Sequence, residues 1–152
     1  MRFAWHGVLA AIGSVAICGA ASSQTTVEGL LRGTVECDVA AAEAKACRVD
    51  LSTYLGWRVF NAHCASCHAA DALGSRFAPD LTLRMQAMTA RQFFAALDNG
   101  YLGRTDMPPR GRDPDVARYY DELWTYLRAR VTGELPPGPL ALVPDHAREL
   151  AD

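Results

Sequence analysis

The chain has 152 residues, 50% hydrophobic and 21% charged, with a formal net charge of −2. That length suits one domain, and the composition excludes a disordered, highly charged tail protein. With 15 basic against 17 acidic residues, no electrostatic footprint for nucleic acid exists.

Arg2 is the only charge before Glu28, and Val8 to Ala21 reads VLAAIGSVAICGAA. One positive charge, an apolar run and a small-residue exit predict a secretory signal over 1–21, cleaved at about 21–23. The alternative is a retained membrane anchor. Cleavage removes Arg2 and Cys18, leaving Cys37, Cys47, Cys64 and Cys67 in an oxidising, periplasmic compartment with no membrane attachment. Residues 24–50 read as an irregular arm with one helical turn across Ala40–Ala46. A helix follows over 52–63, with Ser52 as N-cap and Leu55, Val59 and Ala62 as its apolar stripe. Residues 69–84 read as a loop broken by Gly74 and Pro79.

A second helix is predicted over Ala90–Asp98, started by a Thr89/Gln92 capping box and ended by Asn99-Gly100. Phe93, Phe94 and Leu97 form its apolar face. After a loop over 101–112, Asp113 and Pro114 start a last helix running to about Val131. The segment 133–152 reads as an extended surface tail. No strand pattern of useful length is present, so the expected fold class is all-α, with the folded domain over 51–132. Three or four helices joined by loops this long enclose little core, so something else should fill the centre.

Residues 64–68 supply the candidate: Cys64-Ala65-Ser66-Cys67-His68. Two thiols three positions apart at a helix end can add to the two vinyl groups of one haem, with the adjacent histidine under the iron. C-x-x-C-H is the attachment signature for haem c. A redox dithiol would want a βαβ context, which is missing. A zinc site through Cys37, Cys47, Cys64 and Cys67 would lack compact spacing. The pattern therefore predicts one covalently attached haem c, with His68 as proximal ligand.

Candidates for the sixth iron ligand are Met107, Met85, Met88, His63 and His146, or the position is open. Met107 is singled out by its loop, by the Pro108-Pro109 that stiffens it, and by its place 39 residues after His68. A ligating histidine usually donates its second ring N–H to a fixed acceptor, and the carbonyl of Pro79 is the candidate. Once haem takes two thiols, Cys37 and Cys47 are left to form a disulfide. Arg104, Arg110 and Arg112 beside Met107 are candidates for a ring steering an acidic partner to the haem edge; with Asp106, Asp113 and Asp115 interleaved, the alternative is a solvated loop of mixed charge.

The chain resembles class I cytochromes c. Gly56-x-x-x-Phe60-x-x-x-Cys64-x-x-Cys67-His68, Ala78-Pro79-Asp80-Leu81, Met107-Pro108 and Leu123-x-x-Tyr126-Leu127 carry the resemblance, over roughly residues 52–131. It implies a few helices and long loops around one haem, the terminal helices crossing with Gly56 against Tyr126 or Trp124. A narrower resemblance lies in Tyr54-x-Gly56-Trp57-Arg58-x-Phe60, Gly74-Ser75-x-Phe77-Ala78-Pro79, Met88-Thr89-x-x-x-Phe93 and Tyr120-Asp121-Glu122-Leu123-Trp124. These segments are similar to the cytochrome c(L)-like electron acceptors of pyrroloquinoline-quinone (PQQ) dependent alcohol and methanol dehydrogenases. The segment before Met107 is shorter than is usual there, and Arg110 stands where an aromatic residue is usual. The resemblance implies a monomeric, non-enzymatic one-electron carrier. It would be reduced by such a dehydrogenase and oxidised by a downstream cytochrome c or terminal oxidase. A small haem enzyme with an open distal site, or an anchored electron-entry subunit, is the alternative.

Overall fold

Residues 33, 35–37, 47–102 and 106–144 are described by a computed structural model of the chain. The segment read as a secretory signal, the turn expected at Ala40–Ala46 and the tail beyond residue 144 lie outside the described residues.

Helix α1 spans Leu51–His63 and α2 spans Ala65–His68. The cap of α1 is Asp50, not Ser52: its carboxylate accepts from the Thr53 amide at 2.9 Å and the Thr53 hydroxyl at 3.2 Å. Leu51 already has helical geometry while Asp50 is extended, so Asp50 alone can reach the orphan amide. A carboxylate also suits the positive helix end. Beyond α2, the expected loop contains a 3₁₀ turn at Ala70–Ala72 and a four-residue helix α3, Leu81–Arg84. Asp80 caps α3 by accepting from the amides of Thr82 and Leu83, at 2.7 and 3.3 Å. An element this short has no periodicity to read.

Helix α4, Ala90–Asn99, starts with the capping box of Thr89 and Gln92, both halves formed, and ends at Gly100 with φ +73°. The last helix is two. Pro114–Ala117 forms α5, capped by Asp113, and Tyr120–Thr132 forms α6. The backbone at Tyr119 leaves helical geometry, with φ −121° and ψ 28°. No glycine or proline stands there; tertiary contacts decide the break. Val116 stays fully buried, while the Tyr120 ring stacks on Phe94 at 5.6 Å and its hydroxyl donates to Asp98 at 2.8 Å.

The centre of the molecule is the crossing of α1 and α6. Gly56 lets the backbones meet: a Cβ there would overlap the Glu122 carbonyl and press on Tyr126 Cβ at 2.9 Å. Phe60 and Tyr126, both fully buried, pack with ring centroids 5.5 Å apart.

The expected absence of strands is corrected. β1 (Val35–Cys37) pairs antiparallel with β2 (Cys47–Val49), which pairs parallel with β3 (Leu140–Leu142). Cys37 and Cys47 face each other in this ladder and are joined by a disulfide. The tail is therefore not simply laid over the surface: Leu135 is buried, and β3 holds the outer edge of β2. Three-residue strands show no alternation; the disulfide and the returning tail create them. The fold is otherwise helical.

Candidate haem site

The Cys64 amide donates to the Phe60 carbonyl at 2.8 Å, and the His68 amide to the Cys64 carbonyl at 2.9 Å. Cys64, Cys67 and His68 thus share one helical turn continuous with α1. Neither cysteine is in a disulfide; Cys64 is half-buried and Cys67 exposed. Burial pushes the Cys64 thiol up to about 11; nearby Arg110 opposes this shift and Cys67 adds to it.

His68 is buried, and its Nδ1 lies 3.0 Å from the Pro79 carbonyl oxygen. A carbonyl only accepts, so Nδ1 carries a proton, and in the neutral imidazole this leaves the lone pair on Nε2. The segment supplying Pro79 is tied back to the same turn. The Gly74 amide donates to the His68 carbonyl at 2.8 Å, and the Ser75 hydroxyl donates to the Cys67 carbonyl at 2.5 Å. Gly74 has φ +80°, and a Cβ there would collide with the Asp80 amide. Only glycine fits that approach.

These groups open onto a cavity of about 1130 Å³, counting its mouth. Cys64, Cys67, His68, Pro79 and Met107 all line it, with Phe60, Leu81, Phe93, Leu97, Leu123 and Leu127 among the apolar walls. Met107 is held by a two-way backbone bridge to Tyr101, at 2.9 Å each way. The rival sulfurs line the same cavity: Met85 is fully buried and Met88 half-buried. His63 lies 3.4 Å from the Asp113 carboxylate, and His146 is outside the described residues.

Of the arginines expected to ring the haem edge, Arg110 is half-buried and Arg112 is exposed. Arg110 lines the cavity and donates to the His63 carbonyl at 3.2 Å. The open carbonyls of a helix end attract a cation, so Arg110 ties the Met107 loop to α1. Arg104 lies outside the described residues. At the cavity mouth the structure places two aromatic residues, Phe77 (51% exposed) and Tyr101 (52% exposed). Arg76 stacks on Phe77 at 4.6 Å, and Arg84 lies over Tyr101 at 5.4 Å while donating to its hydroxyl at 3.1 Å. Of these pairs, only Arg76-Phe77 is adjacent in sequence, and adjacency alone does not signal stacking.

Two thiols on one turn, an imidazole with a single free nitrogen, and apolar walls suit a flat macrocycle carrying its own metal. The disulfide takes Cys37 and Cys47 out of any zinc site. Among the described residues no group of three or more His, Cys, Asp or Glu side chains could hold a bare ion.

Comparison with known proteins agrees with this chemistry. Residues 53–127 match the family described as cytochrome c oxidase, cbb3-type, subunit III. Cytochrome c-555 of Methylococcus capsulatus is 32% identical over 117 residues, covering 76% of this chain and 89% of that protein. Cytochrome c-553I of Paracoccus denitrificans is 34% identical over 106 residues, covering 66% of this chain and 47% of that protein. The crystal structure of the c-type cytochrome XoxG from Methylobacterium extorquens AM1 superposes with a TM-score of 0.58 at 33% identity, covering 68% of this chain and 67% of that one. The chain belongs to the class I c-type cytochromes and is a monohaem electron carrier, with one covalently bound haem c, rather than an enzyme.

Proposed function

We propose that Cys64 and Cys67 hold the haem by thioether bonds, that His68 Nε2 is the proximal iron ligand, and that the Met107 sulfur is the distal one. The observation carrying this reading is the His68 Nδ1–Pro79 contact, 3.0 Å, in a cavity that both thiols and Met107 line. It fixes the tautomer that leaves Nε2 free. Bound there, the haem supplies a reversible one-electron couple. The chain's own part is to exclude water with apolar walls, to orient His68, and to hold Met107 on a loop stiffened by two prolines. Methionine–histidine ligation sets a higher potential than bis-histidine ligation. Met107→Ala should retain covalent haem, lose the sulfur-to-iron charge-transfer band and lower the potential, while Met85→Leu should keep the band. The reverse result would make Met85 the ligand.

The proposed donor is a PQQ-dependent alcohol or methanol dehydrogenase of the periplasm, and the acceptor a downstream cytochrome c or terminal oxidase. The similarity of segments 54–60, 74–79, 88–93 and 120–124 to cytochrome c(L)-like acceptors supports the donor. Periplasmic location rests on the apolar segment up to Ala21 and on the attachment of haem c outside the cytoplasm. No described helix is long and apolar enough to cross a membrane. Stopped-flow reduction of the ferric protein by such a dehydrogenase tests the assignment. Second-order reduction in the presence of the alcohol supports it, and absence of reduction rules the donor out.

A further inference from the structure

Directly behind His68 the backbone takes conformations that residues with a Cβ avoid. Ala69 has φ 59° and ψ 167°, Asp71 has φ 59° and ψ 16°, and Ala72 has φ 62°. None is glycine, so each crowds its Cβ against the main chain. A strained stretch persists only where surrounding contacts over-determine it.

The contact that does so is a buried arginine. Arg130, on α6, is 6% exposed. Its Nε and Nη2 donate to the Asp71 carbonyl at 3.1 and 2.9 Å, and its Nη1 donates to the Leu135 carbonyl at 2.6 Å. The Asp71 carboxylate accepts from the Gly138 amide at 3.2 Å, and Ala72 is fully buried. One guanidinium therefore joins α6, the turn behind His68 and the tail. Arg130 does not line the cavity. An apolar residue would fill this core position without the cost of burying a charge. What the fork adds is geometry, two bonds converging on a single carbonyl oxygen.

We propose that Arg130 is a positioning residue for His68. The chain must reverse between the His68 carbonyl and the Gly74 amide that bonds it, and the Ala69–Ala72 turn makes that reversal. Pro79, which orients the imidazole, lies on the strand of chain that emerges from it. Arg130 locks the turn in its left-handed form and so fixes the plane in which the His68 ring meets the iron. The proposal rests on His68 being the proximal ligand.

The test uses ferric holoprotein and the hyperfine-shifted haem-methyl resonances in its proton NMR spectrum, whose order reports the plane of the axial imidazole. Arg130→Gln should change that order and lower the melting temperature. Arg130→Lys keeps the charge but not the fork, and should change the order too. Ala69→Gly makes the left-handed conformation inexpensive, and in the Arg130→Gln background it should bring the methyl order back toward wild type. If Arg130→Gln yields no holoprotein, Arg130→Lys with and without Ala69→Gly is read by the same criteria. An unchanged methyl order in the Arg130 variants would overturn the proposal, even where stability falls. So would a midpoint potential that moves in Arg130→Gln but not in Arg130→Lys with the methyl order intact, since that is a charge effect alone. His68→Ala separates the underlying reading. If it keeps a low-spin six-coordinate spectrum, His68 is not the ligand and both readings fall.

Discussion

The crossing of α1 and α6 and the wall of the haem cavity are built on different terms. At the crossing, Gly56, Phe60, Leu123 and Tyr126 are buried, the two backbones meet directly at Gly56, and Phe60 packs on Tyr126, although Phe60 and Leu123 also reach the cavity. On the other side, the described residues of 69–89 and 100–113 are loops, turns and one four-residue helix. Many of their side chains converge on the cavity rather than on each other. The difference teaches where the chain stabilises itself and where it depends on what it binds.

Removing the cofactor breaks the comparison most severely. Cys64→Ser/Cys67→Ser should cost more than about 5 kcal/mol, beyond the range of ordinary single substitutions. Amide exchange should speed up first across 70–110, with α1 and α6 keeping the greatest protection. Uniform loss of protection would show that the crossing is no more autonomous than the loops. Next in size is Gly56→Val. The overlap is with the Glu122 main chain, which cannot swing aside, so about 3 kcal/mol of destabilisation is expected in urea unfolding. An unchanged midpoint would mean the helices can re-cross at another register.

Cys37→Ser/Cys47→Ser acts away from both regions. Opening a loop of sequence separation 10 should cost about 2–3 kcal/mol and leave the visible spectrum unchanged. A spectral change would tie the sheet to the cavity. Mass spectrometry without reduction checks the bond itself, since two alkylatable thiols in the holoprotein would contradict it. The smallest effect belongs to Tyr126→Phe. The hydroxyl is buried with no hydrogen-bond partner among the described residues. Deleting it should be neutral or stabilise by up to about 1 kcal/mol. A clear loss of stability in the holoprotein would mean the hydroxyl gains a partner when haem is bound.

Local chemistry made some of this legible from sequence and tertiary contact hid the rest. The capping box at Thr89 and Gln92 depends on groups three residues apart, and it formed as read. Cys64, Cys67 and His68 are positioned by a single helical turn, and an acceptor for His68 at Pro79 follows from the need to orient an imidazole. The break at Tyr119 had no local signal, because packing of Tyr120 on α4 decides it. Asp50 displaced Ser52 because the strand preceding α1 ends at Val49, and that strand itself could not be read. Arg110 and Arg130 were the hardest. Long flexible side chains carry no periodic mark of whether they face water or reach a carbonyl 47 or 59 residues away.

The crossing also has a meaning in time. Gly56 and Tyr126 are separated by about 70 residues, and nearly every cavity-lining residue lies between them. Bringing such distant segments together costs roughly 4 kcal/mol of chain entropy, before any contact inside the loop repays it. Gly56 presents bare backbone to the incoming helix, so closure requires no side chain to move aside. The glycine that tightens the finished structure therefore also lowers the hurdle at the slowest kind of step in folding, a long-range encounter.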